Sequence, residues 1–164
     1  MENAGTSREK ILTLLKAELD VMKESVSKGL DPQIKSIGGL IGGNAFKLQK
    51  RLQTGDNLTG STFLKALGYS LAVTEVNAAM GKVVAAPTAG ASGIIPGILL
   101  SIAEDRRLTD EQIIDALLVS GAVGKIIAAN ATLSGAEGGC QAECGAASAM
   151  AAAASTAASM PSEP

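Results

Sequence analysis

The chain has no histidine, and aromatic residues make up only 2% of its 164 residues. Without imidazole, its own residues form no Ser-His-Asp or Cys-His catalytic pair and no imidazole-based zinc site. An acid or base must therefore be a Glu, Asp, Lys, Tyr or Cys side chain. The shortage of aromatic rings also removes the stacking platform that proteins use to bind single-stranded nucleic acid.

The net charge is small, and the chain has few cysteines. The formal charge is −2, which gives no electrostatic attraction to nucleic acid or to an anionic membrane. The only cysteines are Cys140 and Cys144, too few for a secreted disulfide framework. The polar first ten residues do not resemble a secretory signal. We therefore expect a cytoplasmic protein that binds neither nucleic acid nor membrane.

Two uncharged stretches, residues 83–103 and 144–162, are long enough to be considered as membrane spans. Prolines and glycines interrupt the first, and the second consists mostly of Ala, Gly, Ser and Thr. Neither is hydrophobic enough to predict a transmembrane helix.

Apolar residues nevertheless make up 46% of the chain, and 19 residues are glycine. The core must therefore consist of Ala, Val, Ile and Leu, with helices that approach one another closely. No strand-like alternation of apolar residues stands out. We predict an all-α fold: one domain over residues 1–164, small-residue helices joined by Gly/Pro-rich loops, and a frayed tail over residues 155–164.

Helical spacing of apolar residues predicts helices over residues 8–28, 62–80 and 109–129. Ser7 is the expected N-cap of the first, which Gly29 and Pro32 should stop. Thr109 and Gln112 form the pattern of a capping box at the third. The alanine-rich segment near the C-terminus should form a further helix.

Two glycine-rich segments interrupt these helices. GGLIGG, residues 38–43, indicates a bent loop opening a short helix over residues 44–53. Such a loop suits either an anion at the helix N-terminus or close helix packing, but it matches no nucleotide-binding motif. Residues 85–97, AAPTAGASGIIPG, are predicted to be irregular throughout.

Polar residues concentrate beside these broken segments. They either cap helices and satisfy backbone groups or form a site. Cys140 and Cys144 share a helix face, and they suit inert thiols, a redox pair, or part of a site completed from elsewhere. The three groups are Glu75, Asn77 and Lys82 beside residues 87–90; Asn130, Thr132, Ser134 and Glu137; and Cys140, Gln141, Glu143 and Cys144.

Two long motifs carry a family resemblance. TEVNAAMGKVVAAPTAGASGIIPG, residues 74–97, and NATLSGAEGGCQAECGAASAMAAAA, residues 130–154, closely resemble the α chain of iron–sulfur-dependent L-serine dehydratases. GGLIGGNAFKL, residues 38–48, resembles a TGGDAVKL-like segment of the same chain. The resemblance covers residues 30–154.

The resemblance implies a lyase of amino-acid catabolism that eliminates water from L-serine to give pyruvate and ammonia. The family uses a [4Fe–4S] cluster held by three cysteines, whose open iron acts as a Lewis acid on the serine hydroxyl. Cys140 matches the first ligand, in S-G-A-E-x-G-C-Q, whereas Cys144 stands where relatives carry valine. The other two ligands belong to a C-D-P-V-A-G…P-C segment that this sequence lacks.

The resemblance therefore implies the N-terminal half of an α chain, with an incomplete set of cluster ligands. Its implied partners are L-serine and either a β chain or a missing C-terminal half, in a homo- or hetero-oligomer. The PTAG and S-G-A-E-x-G-C segments should be irregular loops close to each other. We expect substrate-binding groups and a catalytic base among the polar residues. The substrate-binding candidates are Thr88, Ser92, Asn130 and Ser134, and the candidate bases are Lys47, Glu75, Lys82, Glu137 and Glu143.

Two other functions stay open at this point. One is a non-catalytic helical fragment or assembly subunit that lacks the cluster. The other is a pyridoxal-phosphate lyase with Lys47, Lys82 or Lys125 as the Schiff-base lysine.

Overall fold

A computed structural model describes residues 7–55 and 58–160, and these residues form six α-helices and no strand. The predicted all-α fold is confirmed. The helices are α1 (Arg8–Gly29), α2 (Asn44–Gln53), α3 (Ser61–Ala78), α4 (Ile94–Arg106), α5 (Asp110–Asn130) and α6 (Gly135–Ser159).

Helix α3 is central to the packing, because it contacts α1, α2 and α4, while α6 packs against α4 and α5. The buried core consists mainly of Ala, Val, Ile and Leu, as the composition predicts. Leu19 of α1, Val73 of α3, and Ile95 and Leu99 of α4 are among its largest fully buried side chains. Helix α6 contributes mostly alanine to this core.

Glycine sets the distance between α1 and α3. A Cβ atom added to Gly29 would overlap the carbonyl oxygen of Ala72, so the two helices touch through their backbones. Gly29 was expected to stop α1, but it is the last residue of that helix, and Leu30 is the C-cap with a right-handed backbone. Its observed role is close approach, which only a residue without a Cβ permits.

The predicted helix starts at Ser7 and Thr109 are confirmed. The Ser7 hydroxyl accepts a hydrogen bond from the Lys10 amide, and Thr109 and Gln112 form the complete capping box. Residues 56–57, inside the turn-rich segment before α3, lie outside the described residues.

Helix α4 corrects one prediction, because it begins at Ile94, inside the segment expected to be irregular up to residue 97. Pro96 is tolerated there since it lies in the first turn, where backbone N–H groups have no partner within the helix. Ala91, Ser92 and Gly93, just before this helix, are buried.

Helix α6 corrects two more predictions. It begins at Gly135, before the alanine run, and is broken once, at Gly139, whose φ is 70° and ψ is −177°. It continues to Ser159, so residues 155–159 are helical where a frayed tail was predicted, and residues 161–164 lie outside the described part.

Among the described helices, α5 is long and apolar enough to cross a membrane by length and composition. Helix α5 is not one of the two uncharged stretches, because it contains Asp115 and Lys125. Helices in the core of soluble proteins have the same length and composition, and 33% of this apolar stretch of α5 is buried. This property is therefore weak support for a membrane span.

Candidate active site

The PTAG segment meets α6 at a single carboxylate. The Thr88 hydroxyl donates a hydrogen bond to Oε1 of Glu143, which is half-buried. A Cβ atom added to Gly90 would lie 2.6 Å from Oε1 of Glu143, and one added to Gly135 would lie 2.7 Å from its Oε2. The absence of side chains at Gly90 and Gly135 therefore makes room for the carboxylate. We call Thr88, Gly90, Gly135 and Glu143 the junction.

The PTAG segment is also fixed to α3. The side-chain amide of Asn77, in α3, donates to the carbonyl oxygen of Ala89 at 3.1 Å. A local hydrogen bond, from the Ala91 amide to the Thr88 hydroxyl oxygen at 3.4 Å, closes the turn itself. The segment is thus held between α3 on one side and α6 on the other.

A second polar group surrounds the N-terminus of α6. The Thr132 hydroxyl donates to Oε2 of Glu137 at 2.6 Å, and the Ser134 amide donates to the Thr132 oxygen at 3.1 Å. Ser134 caps α6 by accepting the Ala136 amide at 3.2 Å. An anion is favoured at this helix end, and Glu137 already places a carboxylate in the first turn.

Cys140 is the first residue after the break at Gly139, one helical turn before Glu143. Residues at this spacing have Cβ atoms about 5–6 Å apart on one helix face. Cys140 and Cys144 are both exposed free thiols. The two motif segments are therefore close together, as expected, but S-G-A-E-x-G-C is helical with one break rather than an irregular loop.

Glu75 lies at the N-terminus of α2. Its carboxylate accepts the amide of Gly43 at 2.9 Å and the amide of Asn44 at 2.8 Å. The side chain is 2% exposed. Of the two alternatives for the GGLIGG loop, an anion at the helix N-terminus is the one observed, and the anion is a carboxylate of the chain itself. This candidate base therefore serves as a helix cap.

The remaining candidates lie apart from the junction or are buried. Ser92 is 2% exposed and does not face solvent. Asn130 is exposed, and its amide donates to the Ile126 carbonyl within the last turn of α5. Lys47 and Lys82 are exposed, and Lys82 acts electrostatically on Glu24 of α1 rather than on the junction.

Metal-binding groups are few in this part of the chain. No group of three or more His, Cys, Asp or Glu residues in the described ranges is arranged to hold a metal ion. Two thiols and no imidazole cannot complete a cubane cluster, which takes at least three protein ligands. Cys140 fits the role of a single ligand, because its thiol is exposed beside the junction.

Comparison with known proteins identifies the family. Residues 1–161 match the family model for the serine dehydratase alpha chain. The chain belongs to this family. The assignment confirms the resemblance seen in the motifs, and the junction joins two of those motifs.

Individual relatives show the same membership. The chain is 46% identical over 148 residues to the probable L-serine dehydratase alpha chain of Bacillus subtilis (strain 168), covering 90% of this chain and 49% of the relative. It is 42% identical over 148 residues to the L-serine dehydratase alpha chain of Peptoniphilus asaccharolyticus, covering 90% and 51%. The L-serine dehydratase TdcG of Escherichia coli (strain K12) is 39% identical over 146 residues, covering 80% and 32%. The chain therefore spans about half the length of the two alpha chains.

Proposed function

We propose that this chain forms the N-terminal half of the catalytic part of an L-serine dehydratase, which converts L-serine into pyruvate and ammonia. The junction carries the proposal, because two sequence motifs meet there at one hydrogen-bonded carboxylate, through Thr88 and Glu143, which are 55 residues apart. The names of the relatives support serine dehydration as the reaction.

Elimination requires a base near Cα of serine and polar groups that orient the substrate. Of the five candidate bases, Glu143 is the one that belongs to the junction. We assign it the removal of the Cα proton, after which hydroxide leaves from Cβ and the aminoacrylate hydrolyses to pyruvate and ammonia. Thr88 holds the Glu143 carboxylate in place. Thr88 itself, and Ser134, which directly precedes Gly135 of the junction, are the substrate-binding candidates that we assign to this site.

The cofactor proposed for the reaction is a [4Fe–4S] cluster with Cys140 as one ligand. Because the chain has only one other cysteine, the remaining ligands must come from a β chain or from the C-terminal half of an alpha chain. When bound, such a cluster supplies a Lewis acid that makes the serine hydroxyl a better leaving group.

The test is a chimera in which this chain replaces the matching half of the Bacillus subtilis alpha chain. Purified anaerobically with the other components that the relative requires, it should form pyruvate from L-serine and show broad, air-sensitive absorption near ~400 nm, which is typical of iron–sulfur clusters. Glu143→Gln should abolish pyruvate formation while the absorption is retained. Glu137→Gln serves as the matched control, since Glu137 lies outside the junction.

Other outcomes separate the alternatives. A chimera that folds but forms neither pyruvate nor a chromophore contradicts the proposal and favours the non-catalytic helical subunit. An absorption band that borohydride reduces points instead to pyridoxal phosphate on a lysine.

A further inference from the structure

A groove of about 500 Å³ lies where α1, α3, α4 and α5 meet, and none of its lining residues belongs to the junction. Its volume is within the range of small-molecule sites. Its walls are apolar and its rim is charged. The apolar lining includes Val26, Leu30, Leu100, Leu108 and Ile113, and the polar lining includes Lys23, Tyr69, Glu104, Arg107 and Asp110.

Three of the four charges on this rim are already paired. Lys23 contacts Asp110 at 2.6 Å. Glu104 accepts a hydrogen bond from the Tyr69 hydroxyl at 2.7 Å and contacts Lys65 at 3.1 Å. The pKa of Tyr69 is raised, mainly by burial and secondly by its hydrogen bond to the Glu104 carboxylate. The Tyr69 hydroxyl therefore stays neutral and donates to Glu104.

Arg107 is the exception. In the described part of the chain, its guanidinium has neither an ion pair nor a hydrogen-bond partner. The groove therefore carries one uncompensated positive charge on its rim, which favours an anion.

The backbone of Arg107 adds a second observation. It has φ 56° and ψ 45°, in the left-handed region, and the Leu108 amide bonds to the Ala103 carbonyl at 2.9 Å to close the end of α4. Glycine is the usual residue at this position, because a side chain is strained there. Arginine therefore occupies a site where its backbone is disfavoured, and its side chain lines the groove.

We propose that this groove binds a small aliphatic monocarboxylate, which lies outside the proposed reaction. The carboxylate pairs with the planar guanidinium of Arg107, and the aliphatic body lies against Val26, Leu100 and Ile113. A monoanion fits better than a phosphate dianion, because the carboxylates of Glu104 and Asp110 on the same rim repel additional negative charge.

The test is calorimetric titration of the 164-residue chain with hexanoate, and with hexanol as the uncharged analogue. We expect saturable 1:1 binding of hexanoate, and at least about tenfold weaker binding of hexanol, because a hydrogen-bonded charge pair is lost. Arg107→Gly should weaken hexanoate binding by the same factor. Its melting temperature should be no lower than that of the parent chain, since glycine suits the left-handed backbone.

The control is Arg106→Ala, because Arg106 lies one residue before Arg107 and outside the groove lining. Arg51→Gly would not serve, since glycine inside α2 would destabilise that helix. The Arg106→Ala variant should bind hexanoate as the parent chain does. No binding of hexanoate, equal binding of hexanol, or unchanged binding by the Arg107→Gly variant would each overturn the proposal. These readouts need no dehydratase activity, so they are independent of the proposed reaction.

Discussion

The Thr88 hydroxyl donates a hydrogen bond to the Glu143 carboxylate, 55 residues further along the chain. Gly90 and Gly135 flank the same carboxylate. This arrangement explains why a threonine, two glycines and a glutamate occur in two distant motifs. Each glycine leaves space for the carboxylate, and the hydroxyl satisfies one of its oxygens.

Thr88→Val should weaken the junction without changing its volume. The Glu143 carboxylate would lose its donor, at a cost of about 1–2 kcal/mol in the free energy of unfolding. Urea unfolding of the 164-residue chain measures this loss. In the chimera with the Bacillus subtilis relative, kcat/KM for L-serine should also fall sharply. Thr88→Ser keeps the hydroxyl and should retain both properties; equal losses in the two variants would contradict this role.

Cys140→Ser and Cys144→Ser make the same chemical change four residues apart. In the chimera, Cys140→Ser should lose iron and activity, because a serine oxygen is a poorer cluster ligand than thiolate. Cys144→Ser, like Cys144→Val, should keep both, since that side chain is exposed and its replacement disturbs no packing. Iron content and pyruvate formation are the measurements. If Cys144 were essential and Cys140 dispensable, the assigned ligand would be wrong.

Gly29→Ala should destabilise the fold by at least about 2 kcal/mol, because the new methyl group would overlap the Ala72 backbone. Gly145→Ala, in α6, has nothing within 4 Å of its added Cβ atom. It should stabilise the chain by roughly 0.5–1 kcal/mol through helix propensity. The melting temperature should therefore fall for Gly29→Ala and rise for Gly145→Ala, although the substitution is the same. A common direction would contradict the close approach of α1 and α3.

Glu75→Gln should loosen the loop before α2. The variant would present one amide donor to the Gly43 and Asn44 amides, which need an acceptor, so the cap should weaken by about 1 kcal/mol or more. Limited proteolysis should cleave residues 36–43 faster than in the parent chain. Glu18→Gln, at an exposed position in α1, should leave the cleavage rate unchanged.

Asp105→Asn should reduce stability in a pH-dependent way. The hydrogen bond from Lys65 at 2.6 Å, and then that from Thr62, lower the pKa of Asp105. A carboxyl with a lowered folded-state pKa stabilises the protein above its unfolded pKa of about 4, and this contribution disappears as the pH falls through the folded-state pKa.

The expected loss at pH 7 is at most about 1 kcal/mol, because the pair is partly exposed. The difference between parent and variant in urea midpoint should disappear near pH ~2. Asp20→Asn, at an exposed position in α1 with no ion pair among the described residues, should show no such dependence. A difference for Asp105→Asn that grows at low pH would show that the ion pair is not its cause.

Local signals in the sequence were sufficient for much of the fold. The capping box at Thr109 and the apolar periodicity of α1 depend on residues a few positions apart, and the structure confirms both. The start of α4 was missed because proline disfavours helix only beyond the first turn, and the sequence alone does not show where that turn begins.

The site depends on contacts between distant residues, which periodicity cannot reveal. The motifs contain Gly90 and Gly135, but nothing in them shows that both glycines face Glu143. For the GGLIGG loop the sequence left an anion at the helix N-terminus and close helix packing open, and the structure shows a carboxylate there. Its source, Glu75, lies more than 30 residues away and became evident only when α2 was placed against α3.

Helices that touch through glycine and alanine have a thermodynamic consequence. Where Gly29 meets Ala72 and α6 presents alanine to the core, folding removes less hydrocarbon surface from water than a leucine-rich interface would. Heat capacity and denaturant sensitivity both scale with that surface. The domain should therefore unfold with a small heat-capacity increment and a shallow dependence on urea, and its stability should vary little with temperature.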